Sequence, residues 1–303
     1  MQPITTVTQE ANVTQRRTLA RRRRLPAPSE GFLGPGHTAI EVIRPDALHL
    51  SDPFVLLMDD RLDFPAGLQV GGAHPHAGLE TVTFVIEGEM EDRDEGVLRA
   101  GDLVWMTAGR GIVHSEHVHS SGVPTRVLQL WVTLPERSRD ADPRFEIVRA
   151  SEVPVHRAEG VEARLYSGST HGLLSKTLNH VPVTLLDVHL APHARFTQSL
   201  PASHDGFLYP LAGSLRVSES DAPLGVGEIG WLDRREGGGE TTLELVAGES
   251  GARVALYAGA RQGEPTVQHG PFVAGSAEGI ARMFHAYRAG RFTPMSSLSP
   301  SRA

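Results

Sequence analysis

Along most of the chain, apolar and polar residues alternate in short runs that close on Gly, Pro or Asp, a pattern that predicts β-strands rather than helices. Residues 38–43 and 54–58 open the series, separated by Arg44-Pro45-Asp46. Residues 80–86 read ETVTFVI, rich in the β-branched and aromatic side chains that suit a pleated surface. Glu87-Gly88-Glu89 then supplies a turn into a more polar strand, which makes a hairpin. Gly101-Asp102 starts another strand through Leu103-Val104-Trp105-Met106, Ala108-Gly109-Arg110-Gly111 turns the chain, and residues 127–134 are strand-like again. Strands this short and closely spaced fit a sandwich or a closed barrel. Residues 135–157 are charged, proline-bearing and without clear period, which marks them as the inter-domain connection. A second series follows at 183–190, 207–211, 214–217, 228–232, 241–246 and 253–258, so the chain carries one architecture twice. Residues 277–288 place Ile280, Met283, Phe284 and Tyr287 at helical spacings and predict a short amphipathic helix whose apolar side packs on the core.

Composition narrows the function classes. A chain of 303 residues, 40% of them hydrophobic, has the length for about two domains at roughly 150 residues each and is not a mostly disordered polymer. The absence of cysteine excludes a disulfide framework, a thiolate metal site and a cysteine nucleophile, so a metal would rest on His, Asp or Glu. Fifteen histidines make that chemistry available. No apolar run approaches the ~18 residues of a membrane helix, residues 181–190 being interrupted by Pro182, Asp187 and His189. The arginines at 16, 17 and 21–24 are followed by Leu25-Pro26-Ala27-Pro28-Ser29 rather than an apolar segment, which argues against an export signal. A soluble, cytoplasmic monomer is expected.

Net charge is −7, but residues 1–30 hold six Arg against Glu10 and Glu30, which gives the arm +4 and leaves −11 for the body. The arm is read as a solvated, poorly ordered terminus, and the acidic body argues against a nucleic-acid-binding surface. Lys176 is the single lysine among 29 basic residues, a bias that reads as the codon usage of a GC-rich, bacterial genome. From Met295 onward the chain is rich in Ser and Pro and is expected to fray.

The chemistry concentrates in two short motifs. In His74-Pro75-His76 the histidines stand two apart, so on a strand both imidazoles project to one face. Alone, such a pair is more often a chance or surface polar feature than a metal site. Forty residues later His114-Ser115-Glu116 repeats the spacing after a glycine-punctuated strand. Two such pairs facing each other across a small barrel supply three neutral imidazoles and one carboxylate, enough to hold a divalent ion with coordination positions left for water or substrate. Ligand count does not choose the metal. His117 points to the opposite face from Glu116 on an extended strand and His119 lies farther along, so both are read as exposed or supporting residues. Trp105 and Met106 are read as barrel core, and Arg110 as steadying its turn.

HPHAGLETVTFVIEGEMEDRD followed by RAGDLVWMTAGRGIVHSE resembles the signature of the pirin family within the cupin superfamily. Gln268-His269-Gly270-Pro271-Phe272-Val273 and Ala286-Tyr287-Arg288-Ala289-Gly290-Arg291-Phe292 are similar to the family's C-terminal region, so the resemblance spans residues 35–293. It implies an all-β bicupin: two stacked cupin barrels of jelly-roll type with a short C-terminal helix. The expected division is a poorly ordered basic arm over 1–30, a metal-binding N-terminal cupin over 31–140, a metal-free C-terminal cupin over 141–293 and a disordered tail over 294–303. The resemblance further implies one divalent metal, Fe(II) first and Mn, Ni, Co, Cu or Zn as alternatives, on His74, His76, His114 and Glu116. Many other cupins use a glutamate just after the paired histidines, here Glu80, but the pirin pattern uses the later carboxylate. The second barrel has His189, His193 and His204 without either paired motif, so no metal is expected there. His204-Asp205-Gly206-Phe207-Leu208-Tyr209-Pro210 reads as a cupin strand whose metal pattern has degenerated.

The function implied is quercetin 2,3-dioxygenase activity on a phenolic flavonol and dioxygen, with Glu116 as ligand and catalytic base. A non-enzymatic, redox-responsive regulatory protein acting through a protein partner is the alternative. A cupin acting on another small phenol or enol is a third reading.

Overall fold

The computed structural model describes residues 15–115, 118–218, 220, 222–235 and 238–301. Two large antiparallel sheets carry most of the strand residues. One sheet orders its seven strands as Arg144–Val148, Leu103–Thr107, Leu79–Glu87, Thr125–Thr133, Phe54–Leu62, His37–Ile43 and Ser29–Glu30. The other runs Leu19–Arg24, Glu228–Leu232, His204–Val217, Glu240–Ala260, Val183–Leu190, Val161–Ser167 and Val155–Ala158, with Arg195–Pro201 and Leu224–Gly225 as branches. Both are built from side chains alternating between two buried faces, and each face has its own core. Val82, Phe84, Trp105, Leu128 and Leu130 of the first sheet meet Tyr166, Leu185, Phe207, Tyr209 and Tyr257 of the second. The opposite face of the first sheet turns Val85, Val104, Met106 and Val127 into the first barrel. That of the second fills its own barrel with Leu and Val side chains such as Leu186, Leu208, Leu245 and Leu256. The protein is an all-β bicupin with one short helix, Ala277–Arg288, near its C-terminal end.

Several boundaries differ from expectation. Residues 207–211 and 214–217 belong to one strand, His204–Val217, and 241–246 and 253–258 to another, Glu240–Ala260. Bulges in the pairing of these two strands let the chain bend without ending the element. The stretch 135–157 is not simply a connection. Phe145 and Ile147 alternate with Arg144 and Glu146, and Arg144–Val148 pairs with Leu103–Thr107, so the first barrel runs past residue 140 to Val148. The basic arm is corrected over its described part. Leu19–Arg24 forms an edge strand on Glu228–Leu232 of the second barrel, and Arg17 is buried. Residues 1–14 lie outside the described residues. The tail is corrected likewise, since Thr293–Pro294 pairs with Ile112–Val113, Met295 is buried in the first barrel's core and the Ser301 amide donates to the Phe145 carbonyl. The termini therefore cross over: the N-terminal strand closes the second barrel and the C-terminal segment covers the first.

Candidate metal centre

His74 and His76 lie on the strand Ala73–His76, and His114 on Ile112–Ser115. The two strands pair antiparallel with His114 directly opposite His74, and His76 opposite Ile112. A directly opposed pair brings side chains within reach on one face, so a single register fixes all three imidazoles. Their rings stand 4.3 Å (His74 to His114), 4.9 Å (His74 to His76) and 5.1 Å (His76 to His114) apart. One nitrogen from each lies within 4.8 Å of the others, and Nε2 of His114 is 2.9 Å from Nε2 of His74.

The turn after the first pair depends on Gly78, whose φ of +77° is in the left-handed region and whose missing Cβ leaves room for the Val273 carbonyl. The Trp131 ring then closes on His76 edge-on at 5.1 Å.

The electrostatics favour neutral rings. Burial lowers the pKa of His74. Burial, with His114 and His74 as neighbours, holds His76 well below its ordinary value. Burial and His74 bring His114 down to about 3. Neutral imidazoles are the form that ligates metal. The Nδ1 of His74 is 3.2 Å from the Gly72 carbonyl, so a proton on Nδ1 leaves the Nε2 lone pair facing the cluster. The buried Nδ1 of His76 makes no hydrogen bond of ordinary geometry among the described residues, and the Pro271 backbone exerts only a minor pull on this ring. Three converging neutral nitrogen donors fit a divalent transition metal and suit neither calcium nor magnesium, which prefer oxygen.

Glu116 and His117 lie outside the described residues. Glu80 does not join the cluster. Its Oε1 accepts hydrogen bonds from Thr107 Oγ1 at 2.8 Å and from the backbone amide of His180 at 3.4 Å, on the sheet face turned to the second barrel. His119 is exposed in a short strand, Val118–His119. Trp105 and Met106 are both buried, on opposite faces of their strand: the first between the barrels, the second inside the first barrel. Arg110 pairs with Asp142, and its amide bonds the Ala141 carbonyl. In the second barrel, His189 bonds Asp187 at 3.0 Å, while the His204 carbonyl takes a hydrogen bond from Arg17.

The family models for pirin and for the pirin C-terminal cupin domain match residues 39–132 and 185–293. The chain belongs to the pirin family. Among its relatives, the pirin-like protein At1g50590 of Arabidopsis thaliana is 35% identical over 76% of this chain and 76% of its own. Pirin of Homo sapiens is 31% identical over 81% of this chain and 84% of its own. Among solved structures, a quercetin 2,3-dioxygenase from Acinetobacter baumannii superposes with a TM-score of 0.81 at 25% identity, over 91% of this chain and 98% of that one. Within the pirin fold, the histidine cluster sits in the N-terminal barrel. Pairing alone could not reveal from sequence that a C-terminal segment also borders it. Ala77 forms a parallel bridge with Phe272, and Thr293–Pro294 extends the sheet of Ala73–His76 and Ile112–Ser115.

Proposed function

We propose that this pirin binds one divalent metal ion through His74, His76, His114 and Glu116, and that it is a metal-dependent dioxygenase acting on a flavonol of the quercetin type. The convergence of three neutral imidazoles inside the first barrel carries the reading. The likeness to a quercetin 2,3-dioxygenase supports the choice of substrate class. Iron(II) is the ion proposed first, since imidazole and carboxylate donors suit it, and manganese, nickel, cobalt, copper and zinc satisfy the same set. When bound, the ion supplies Lewis acidity toward a flavonol hydroxyl and exchangeable coordination positions. The chain's own work is to hold and to accept protons. His74, His76 and His114 are kept neutral by burial and present lone pairs rather than protons to the pocket. Glu116, two residues beyond His114 in the sequence, is the general base in this reading and takes the hydroxyl proton. Trp131 excludes water from the His76 side. One dioxygen is consumed and one carbon monoxide released as the flavonol ring opens.

Elemental analysis of the native protein, followed by oxygen-electrode assays with quercetin on wild type and His114→Ala, tests this. The expected result is about one metal per chain with steady oxygen uptake, and at least a tenfold loss of both in the variant. Turnover by metal-free protein would sink the mechanism. A metal-loaded protein with no uptake would overturn the enzymatic part and leave the redox-responsive regulatory reading.

A further inference from the structure

Both ligand strands are gripped by the same piece of chain, and it comes from the far end of the sequence. After the second barrel closes at Ala260, the backbone returns to the first and makes two anchors. The first lies directly after His76: the Ala77 amide donates to the Pro271 carbonyl at 3.4 Å, and the Val273 amide donates to the Ala77 carbonyl at 3.0 Å. The second lies just before His114. The Thr293 amide donates to the Gly111 carbonyl at 3.0 Å, and Thr293 and Pro294 pair in parallel with Ile112 and Val113. Gly111 has φ +135°, and the space its side chain would occupy is filled by the Phe292 ring.

The anchors are not independent. Phe272 of the first and Phe292 of the second stand 5.7 Å apart edge to face, and Phe284 of the helix Ala277–Arg288 packs 4.8 Å from Phe272. Ala77, Phe272, Ala274, Ile280 and Phe292 form one buried cluster. A rigid aromatic knot therefore fixes the distance between the residue following His76 and the residues preceding His114. The antiparallel pair of ligand strands is otherwise short, four residues on each side. Short strands of this kind hold register weakly without a third strand.

We propose that residues 271–294 are a positioning element of the metal centre, with Phe272 and Phe292 setting the spacing of His76 and His114, so that metal affinity and strap order are coupled. The inference rests on the metal-binding reading above and adds the element that tunes it. Coupling of this kind is reciprocal: if an ordered strap raises affinity for the ion, the ion must equally favour the ordered strap.

Zinc(II) alone, titrated against a chromophoric chelator, reads the affinity of the full-length protein, and hydrogen exchange reads the strap. Phe292→Ala is expected to weaken zinc binding 10- to 100-fold, the usual cost of losing a group that orients a ligand, while Phe292→Leu recovers most of it. Phe196→Leu, in the core of the second barrel, is expected to leave affinity unchanged even if it lowers stability. In wild type, zinc is expected to slow exchange of the Val273 and Thr293 amides. Unchanged affinity in Phe292→Ala, together with zinc-independent exchange of these two amides, would overturn the proposal while leaving the metal centre intact. Equal zinc binding by wild type and His114→Ala would instead remove the metal reading, and the strap's role with it.

Discussion

Glu80 shows how one side chain records its surroundings. It lies two residues past Gly78 on the strand Leu79–Glu87, fully buried between the barrels. Burial pushes its carboxyl up from an ordinary value of 4.5 to about 7, against the opposing pull of Thr107, Trp105, the His180 amide and Arg144. In that window the folded chain holds a proton that the unfolded chain has released. Stability is therefore fully present below about pH 4.5, falls as pH rises through 7 and is flat beyond it. Glu80→Gln keeps an acceptor for Thr107 and removes the charge. The shift is worth about 3 kcal/mol at most, so the variant should gain up to that much on wild type between pH 4.5 and 8. Urea midpoints at the two pH values measure it, and parallel pH profiles for the two proteins would refute it. A metal ligand in this position would behave oppositely, since a bound cation stabilises the carboxylate.

At the scale of elements, two arginines of the same basic arm have opposite roles. Arg21 is exposed on the edge strand Leu19–Arg24, where cationic side chains discourage pairing with another chain. Arg17 is buried and donates to the Thr241 hydroxyl at 2.9 Å, to the carbonyls of Pro201, Ala202 and His204 at 2.7, 3.1 and 2.9 Å, and to that of Asp233. Arg17→Met fills much of the volume but removes the guanidinium donor from all of these acceptors, of which the Ala202 carbonyl still has the Arg235 amide. A loss of about 3 kcal/mol is expected in denaturant unfolding, against less than about 0.5 kcal/mol for Arg21→Ala, and equal effects would contradict the assignment. Nothing in a run of arginines tells which one will be swallowed by a barrel 180 or more residues away. Local signals were legible: alternation located Val183–Leu190 and Glu228–Leu232 to the residue, and helical spacing did the same for Ala277–Arg288. The strand Arg144–Val148 was hidden because its alternation is flanked by charge and proline. The paired histidines were legible because spacing two on a strand is a geometric statement about faces. Their register against His114 and the strap behind them are long-range facts, set by packing rather than by any local run.

For the whole molecule the question is whether two barrels make two folding units. The core between them says they do not: Phe54 of the first barrel packs edge-on to Phe207 of the second at 5.3 Å, and the exchanged termini tie each barrel to the other's chain. A buried polar cluster spans the same interface. Arg126 donates to both carboxylate oxygens of Asp59 at 2.9 and 2.8 Å, and the Tyr209 hydroxyl of the second barrel donates to Oδ2 of Asp59 at 2.5 Å. Removing one member of such a pair strands the other charge in a low-dielectric interior, at a cost of about 3–5 kcal/mol, whereas replacing both with apolar groups costs far less. Arg126→Met and Asp59→Val are each expected to lose that much, and the double variant no more than either single one, a coupling readable from a denaturation cycle. Because the cluster and the aromatic core are shared, each single variant should lower one common transition rather than detach a barrel. Trp131 inside the first barrel and Trp231 in the interface core make this observable. Tryptophan fluorescence, far-ultraviolet circular dichroism and calorimetry should trace the same curve in wild type and in Arg126→Met. A variant that melts in two steps would mean that the barrels fold separately, and that the interface joins finished domains instead of completing one.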